Sequence, residues 1–266
     1  MAQTESQSTE LHWQNSGEGR DLVLLHGWGM NGAVWQQTAE LLSQHFRVHI
    51  VDLPGFGHSH HTSFHTLENL TEQVLAHAPK QAIWLGWSLG GLVASHIALH
   101  HPERINGLIT VASSPCFSAQ KPWRGIQPKV LKAFTAQLME DFQLTIERFI
   151  ALQAMGSPSA RQDLKALKHA VLSRPAPNQQ SLLAGLQLLG DIDYRDQLHR
   201  ISTPTLRLYG RLDGLVPIQV AEDVSSLMPN SQSFVFHQSS HAPFMTELES
   251  FCQQVTEFAR LTQQEA

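Results

Sequence analysis

Short apolar runs alternate with helix-like segments through the first part of the chain. The runs at 22–25, 47–51, 83–85 and 105–112 predict strands, and apolar residues recur at helical spacing over 33–45, 66–78 and 89–100. Strands that are apolar throughout are typical of a parallel sheet covered by helices on both faces. We therefore predict an α/β fold with a mostly parallel, doubly wound sheet.

The pattern changes between residues 117 and 190, a segment that we call the lid. Four helical stretches follow one another there, at about 128–139, 141–155, 158–173 and 178–190, separated by Pro and Gly. The lid therefore reads as a helical insertion in a core made of 1–116 and 191–266. Strands at 205–209 and 233–237 resume the α/β pattern, with a helix opened by Pro217 between them. The last helix carries an apolar stripe of Phe244, Leu248, Phe251, Val255 and Phe258.

Composition narrows the class of protein without identifying it. A chain of 266 residues, 42% of them hydrophobic, fits one large α/β domain. Its two cysteines, Cys116 and Cys252, are too few for a disulfide framework and favour a reducing, cytoplasmic location. The polar N-terminal segment has no secretory signal pattern, and no apolar run approaches the length of a membrane span. We expect no membrane association.

Gly86-Trp87-Ser88-Leu89-Gly90 is the candidate catalytic motif. This G-x-S-x-G sequence lies between a predicted strand and a predicted helix, where a sharp turn exposes the serine Oγ and requires small neighbours. The backbone N–H of Leu89 would then face the same space from a helix N-terminus, which suits an oxyanion. The pentapeptide alone also fits a glycine-rich turn with a solvated serine. Residues that could act as base and acid beside Ser88 must therefore distinguish a catalytic serine from a solvated one.

A nucleophilic serine needs a base and an acid that orients the base. His241 follows the last predicted strand and Asp213 follows the one before it, so both lie at the sheet edge that carries Ser88. The chain order Ser, Asp, His also fits the serine hydrolases built on α/β sheets. Competing candidates are less well placed. His237 is expected to point into the packing of its strand, and the acids that precede a strand at the wrong edge are Asp191, Asp193 and Asp196.

The loop after the first parallel strand, His26-Gly27-Trp28-Gly29, is the candidate source of a second oxyanion donor. Its glycines let the backbone come close, and we assign the donor to the N–H of Trp28. The side chain of His26 is expected to hold the loop by hydrogen bonds. The rings of Trp28 and Trp87 either form an apolar wall for an acyl chain or simply pack in the core.

These segments resemble the α/β-hydrolase family over the whole chain from about residue 11. Beside the motifs above, the resemblance rests on Asp52-Leu53-Pro54-Gly55-Phe56-Gly57-His58-Ser59. Within that family, the segments at 24–29, 82–95, 111–119, 147–153 and 212–217 resemble the esterases of biotin synthesis that hydrolyse the methyl ester of pimeloyl-[acyl-carrier protein]. The segments at 111–119 and 147–153 are much more specific than the first two, which are typical of the superfamily. One departure from the wider family is Ser240, where glycine often precedes the histidine.

The resemblance implies a substrate, a binding set and no cofactor. The substrate would be a pimeloyl methyl ester presented by acyl carrier protein, hydrolysed without a metal or organic cofactor. The implied substrate-binding residues are Trp28, Ser88, Leu89, Phe149, Ile150, Ala151, Leu152, Gln153 and His241. The alternatives are a broad carboxylesterase, a thioesterase or a C–C bond hydrolase of the same fold, or a binding protein that lacks catalysis.

The charge of the lid supports an acidic partner. The lid has nine basic and four acidic residues, whereas the whole chain has a net charge of −5. Such a basic lid would steer an acidic carrier protein to the site. The candidate docking residues are Arg148, Arg161, Lys165 and Lys168, three of them on one helix face; a solvated helix face is the alternative.

Other partners find little support in the sequence. The negative chain has no nucleic-acid motif, so we predict no nucleic-acid binding, and we expect a monomer. The histidines at 58, 60, 61 and 65 lack partnering Cys or acids at fixed spacing and read as a solvated loop instead of a metal site.

Overall fold

A seven-stranded sheet forms the centre of the molecule. The computed structural model describes residues 10–264, and within it the strand order is β1-β3-β2-β4-β5-β6-β7. All neighbouring pairs are parallel except β1 with β3, as the apolar strands predict. The strands are β1 Trp13–Ser16, β2 Arg20–Leu25, β3 Phe46–Val51, β4 Ala82–Trp87, β5 Ile105–Val111, β6 Thr205–Gly210 and β7 Gln232–Phe236.

Helices cover the sheet and form the lid. Those outside the lid are α1 Gln36–Leu42, α2 Leu67–Leu75, α3 Leu89–His100, α8 Gln219–Leu227, α9 Pro243–Thr246 and α10 Leu248–Gln264. The lid contains α4 Pro128–Glu140, α5 Phe142–Ala154, α6 Ala160–Leu172 and α7 Gln179–Asp191. Helix α3 directly follows β4 and is buried on almost every side, which explains its lack of a polar stripe.

Three local predictions differ from the structure. Strand β1 was not predicted, because its polar sequence Trp-Gln-Asn-Ser carries no alternating pattern and only its pairing with β3 defines it. Helix α8 begins at Gln219 after a tight turn in which Val220 N–H donates to the Pro217 carbonyl, so Pro217 precedes the helix. The predicted final helix is divided at Glu247, so that Phe244 lies in α9.

The helices of the structure can be compared with the length and hydrophobicity that a membrane span requires. Within residues 10–264, no helix is long and apolar enough to cross a membrane. The first nine residues, which carry most of the polar N-terminal segment, lie outside the described residues.

Candidate active site

Ser88 occupies the turn between β4 and α3 in a strained backbone conformation. Its φ of 54° and ψ of −115° are rare for a residue with a side chain. The small neighbours are required, because a Cβ at Gly90 would lie 2.5 Å from the Leu25 carbonyl oxygen. Backbone hydrogen bonds fix the turn: Ser88 N–H donates to Val111 O at 2.9 Å, and the Ser113 hydroxyl donates to Ser88 O at 2.9 Å.

His241 and Asp213 form a buried hydrogen-bonded pair. His241 Nδ1 lies 2.7 Å from Asp213 Oδ2, and both side chains are 1% exposed. The other carboxylate oxygen, Oδ1, accepts the N–H groups of Leu215 at 2.8 Å and Val216 at 3.0 Å. These donors hold the carboxylate in place, so that it orients the imidazole with Nδ1 as the donor.

The His241–Asp213 pair and Ser88 meet at one sheet edge. They follow β7, β6 and β4; β7 and β6 are neighbours in the sheet, and only β5 lies between β6 and β4. The indole N–H of Trp87, next to the serine, donates to His241 O at 2.7 Å. Among residues 10–264, His241 Nε2 is buried with no hydrogen-bond partner. A ring nitrogen that can accept a proton is therefore held beside the serine turn.

The loop 26–29 lies against the serine turn. A Cβ at Gly27 would come 3.3 Å from the Cβ of Ser88. The side chain of His26 holds the loop, since its Nδ1–H donates to Gly27 O at 2.9 Å and its Nε2 accepts Leu53 N–H at 3.0 Å. Burial lowers the pKa of His26 to about 4, which keeps it neutral and able to accept that bond.

Trp28 and Leu89, the predicted oxyanion donors, lie in the loop 26–29 and at the start of α3. Leu89 is the first residue of α3, where backbone N–H groups have no intrahelical partner. Trp28 is fully buried, and its indole N–H donates to Leu182 O in the lid at 2.8 Å. Its ring also packs edge-on against Phe149 with centroids 4.7 Å apart. The Trp28 ring thus contacts the lid. This contact fits both alternatives, an apolar wall of the site and ordinary core packing.

The predicted acyl-binding segment on α5 has two faces. Phe149, Ile150 and Gln153 are buried, Leu152 is half-buried, and Ala151 is exposed. Only the buried residues point towards the core, as helical spacing requires, so Ala151 lies on the outer face. Gln153 carries a side-chain Nε2 that is buried and unpartnered among the described residues, and its carbonyl accepts His241 N–H at 3.2 Å.

The docking candidates lie on the outer surface of the lid. Arg148, Arg161 and Lys165 are exposed. Lys168 is half-buried, and its Nζ lies 3.5 Å from Glu147 Oε2, whose negative charge offsets the positive charge of the lysine. Six exposed apolar side chains belong to the same lid: Val130, Met139, Phe142, Leu144, Met155 and Leu172. The outer surface thus combines cations with apolar contacts.

Arg174, which contributes to the basic count of the lid, is not available to a partner. Its Nη1 lies 2.6 Å from Asp52 Oδ1, and the arginine side chain is 6% exposed. Asp52 also accepts the N–H groups of Gly32 and His58. Burial alone would raise the pKa of Asp52, but nearby His26 and the Arg174 and Gly32 hydrogen bonds lower it below its usual range. The pair ties the lid to the core.

His237 and Asp193, two of the competing candidates for base and acid, lie outside the hydrogen-bonded pair. His237 is exposed and does not point into the packing, because β7 is an edge strand that ends one residue earlier. Asp193 is bound by its neighbour Arg195 at 2.5 Å, near the short 3-10 helix before β6. Neither is hydrogen-bonded in the site, whereas His241 and Asp213 are bonded to each other.

Several contacts that build the site could not be predicted from the sequence. The Trp87–His241 hydrogen bond and the Arg174–Asp52 ion pair join residues 154 and 122 positions apart. No local pattern reports such pairs. A buried Asp directly after a strand, as at position 52, is the one signal that could have suggested a charged partner from the lid.

Comparison with known proteins shows the family of this chain. The family model of the alpha/beta hydrolase fold matches residues 22–248, and the chain belongs to that family. It is 69% identical over 249 residues to the pimeloyl-[acyl-carrier protein] methyl ester esterase of Vibrio cholerae, a match that covers 94% of this chain and 98% of the relative. The esterase of the same name from Aliivibrio fischeri is 60% identical over 251 residues, covering 94% and 98%.

Solved structures show the same fold. An esterase from Exiguobacterium antarcticum superposes with a TM-score of 0.83 at 22% identity and covers 94% of this chain and 95% of its own. An enol-lactonase from Burkholderia xenovorans gives a TM-score of 0.83 at 19% identity, covering 94% and 96%. At such identity the likeness concerns the fold alone.

Proposed function

We propose that this protein is a serine carboxylesterase that hydrolyses the methyl ester of pimeloyl-[acyl-carrier protein] to pimeloyl-[acyl-carrier protein] and methanol. The relatives that carry this name are 60% to 69% identical and match almost the full chain. The observation that carries the chemistry is the buried His241–Asp213 pair, whose free Nε2 lies beside the strained turn of Ser88.

Ser88 acts as the nucleophile in the proposed first step. Its Oγ attacks the ester carbonyl while His241 Nε2 accepts the hydroxyl proton, and Asp213 stabilises the resulting imidazolium. The N–H groups of Trp28 and Leu89 bind the oxyanion of the tetrahedral intermediate. Donors of this kind are each worth about 100- to 1000-fold in kcat. His241 then gives its proton to the methoxide, and methanol leaves the acyl-enzyme.

Water completes the cycle by the same route. His241 removes a proton from a water molecule, the hydroxide adds to the acyl carbonyl, and the second tetrahedral intermediate collapses. Ser88 Oγ recovers its proton from His241, and the free carboxylic acid leaves. The proposed chemistry uses only these side chains and backbone donors, since His241 gives up within each half-reaction the proton that it accepts there, first to methoxide and then to Ser88 Oγ.

The outer surface of the lid is the proposed docking site for the carrier protein. Arg148, Arg161 and Lys165 present exposed cations on α5 and α6, and carrier proteins are strongly acidic. Lys168 contributes less, because it lies beside Glu147. Docking there would bring the carrier-linked acyl chain to the buried face of α5, where Phe149, Ile150 and Gln153 line the proposed path. A monomer is sufficient, because one chain supplies every proposed group.

The test compares substrates and variants in purified protein. We expect rapid methanol release from pimeloyl-[acyl-carrier protein] methyl ester and slower turnover of short p-nitrophenyl esters. Ser88→Ala should lower kcat on both by about 10⁴-fold or more with folding intact, because it removes the nucleophile.

The matched control is Ser95→Ala, another buried serine, whose hydroxyl donates to Gly91 O at 2.8 Å on the same helix. It should keep near wild-type rates. Faster turnover of short esters than of the carrier-bound ester would favour the broad esterase. Normal activity in Ser88→Ala would refute the mechanism.

A further inference from the structure

The lid contacts the histidine loop, residues 237–242, directly. Gln153 O accepts the backbone N–H of His241 at 3.2 Å, and Met155 O accepts the hydroxyl of Ser240 at 2.9 Å. Both acceptors lie at the C-terminal end of α5. Carbonyl groups there have no intrahelical partner and are free to accept bonds from outside the helix.

A third contact comes from α6. Thr246 Oγ1 donates to Asp163 Oδ2 at 3.1 Å, and Asp163 also accepts the hydroxyls of Ser157 and Ser159. Thr246 ends the one-turn helix α9, which begins just after Ala242. Met155, at the end of α5, and Asp163, near the start of α6, therefore hold the chain on both sides of His241, through Ser240 before it and Thr246 after it.

The core fixes the rest of the same loop independently of the lid. Glu247 Oε2 accepts Gln238 N–H at 3.0 Å and the Ser239 hydroxyl at 2.6 Å, and Leu212 N–H donates to Ser239 O at 3.0 Å. The loop is thus already anchored at its start. In the half of the loop that carries the imidazole, the core holds His241 O through the Trp87 indole N–H, and the Ser240 hydroxyl also lies 3.4 Å from Leu212 O. The lid adds the Ser240 contact within this half and the Thr246 contact just beyond the loop.

We infer that Ser240 and Thr246 are positioning residues, through which the lid holds His241 in register with Asp213 and Ser88. The inference rests on the proposed role of His241 as the base. Its physical basis is the sensitivity of proton transfer to geometry, since a displacement of about 1 Å can cost about 100-fold in rate. A serine before the histidine, where glycine often stands in the wider family, supplies one of the two hydroxyls.

The inference predicts a loss of turnover without a loss of binding. Ser240→Ala and Thr246→Val should each lower kcat on p-nitrophenyl butyrate by about 5- to 30-fold, with KM within about twofold of wild type. The double variant should lose more than either single variant. Proton NMR should show the downfield resonance of the His241 Nδ1–H shifted or exchange-broadened, a signal that general destabilisation of the fold would not move.

Controls remove equivalent hydroxyls elsewhere. Thr256→Val deletes a threonine hydroxyl bonded to Cys252 O, and Ser95→Ala deletes a buried serine hydroxyl; both should keep wild-type kcat and the NMR signal. Unchanged kcat in Ser240→Ala and Thr246→Val overturns the inference, as does a loss that follows the melting temperature while the resonance stays in place.

The same measurements separate this inference from the proposed function. Wild-type protein that hydrolyses the nitrophenyl ester but not the carrier-bound ester refutes the proposed substrate, and the two positioning variants still decide the inference. Wild-type protein that is inactive toward both esters refutes both proposals.

Discussion

Ser88 shows how a single residue can carry stored strain. A positive φ on a residue with a Cβ costs of order 1–3 kcal/mol, and the surrounding turn must hold it. Hydrogen bonds from Ser88 N–H to Val111 O and from Ser113 to Ser88 O do so here. The strained turn places the serine at the sheet edge where His241 lies.

Asp213→Asn tests the orienting acid at the residue scale. The amide NH₂ would replace the acceptor that faces His241 Nδ1, which favours the tautomer with the proton on Nε2 and leaves no base for the serine. We expect kcat to fall by about 10³- to 10⁴-fold, with stability nearly unchanged, because Oδ1 still accepts Leu215 and Val216 N–H. Steady-state kinetics on a nitrophenyl ester measures the loss.

The control for this variant is the rival acid Asp196, which lies in the short 3-10 helix before β6. Asp196→Asn should keep wild-type kcat. An Asp213→Asn protein with more than a tenth of wild-type turnover would show that another group orients the histidine.

The site residues differ in how well sequence alone predicts them. Ser88, Asp213 and His241 each follow a strand of a parallel sheet, so topology brings them to one edge without knowledge of any side-chain contact. The contacts of Gln153 O with His241 and of Arg174 with Asp52 depend instead on how the lid sits on the core. No periodicity in the chain encodes that placement.

Helix α6 has distinct inner and outer faces at the element scale. Asp163, Leu167 and Ala170 are buried, whereas Arg161 and Lys165 are exposed. The helical spacing of the charges predicted this division. It did not predict that the inner face would carry a carboxylate bonded to Thr246, next to the histidine loop. One helix therefore presents the proposed docking cations and contacts the proposed catalytic loop.

Charge reversal on α6 tests the docking proposal. Arg161→Glu with Lys165→Glu should raise KM for pimeloyl-[acyl-carrier protein] methyl ester by about 10-fold or more at low salt, because four charge units change where an acidic carrier would bind. Turnover of p-nitrophenyl butyrate should stay within about twofold, since both side chains point away from the site. The difference between variant and wild type should shrink as salt is added.

Arg260→Glu is the matched control, an exposed cation on α10 outside the lid. It should leave KM for the carrier-bound ester unchanged. Equal losses on both substrates in the α6 variant would show damage to the lid instead of loss of docking.

Buried neutral histidines couple the stability of the whole molecule to pH. His26 sits in the loop against Ser88, and His96 on α3 bonds Tyr194 OH through Nδ1 at 2.5 Å. The pKa of each is lowered to about 4, chiefly by burial and, for His96, also by the adjacent His100. Both rings are inside the core, so the folded state favours their neutral forms.

Acidification should therefore destabilise the protein between pH 6.5 and 4. In that window the unfolded chain binds protons at both histidines, whose ordinary pKa is 6.5, while the folded chain does not. Stability is then full above pH 6.5 and falls with decreasing pH, by about 2 kcal/mol per histidine at pH 5. Asp52 acts in the same direction at lower pH, because its pKa is lowered in the fold.

Urea unfolding at pH 7.5 and pH 5 measures this effect. His96→Gln keeps a polar group near Tyr194 but cannot titrate, so its loss of unfolding free energy between the two pH values should be about 2 kcal/mol smaller than that of wild type. His237→Gln, which removes an exposed histidine, should keep the wild-type difference. If His96→Gln and wild type lost the same free energy, the neutral buried imidazole at position 96 would not be a source of the acid sensitivity.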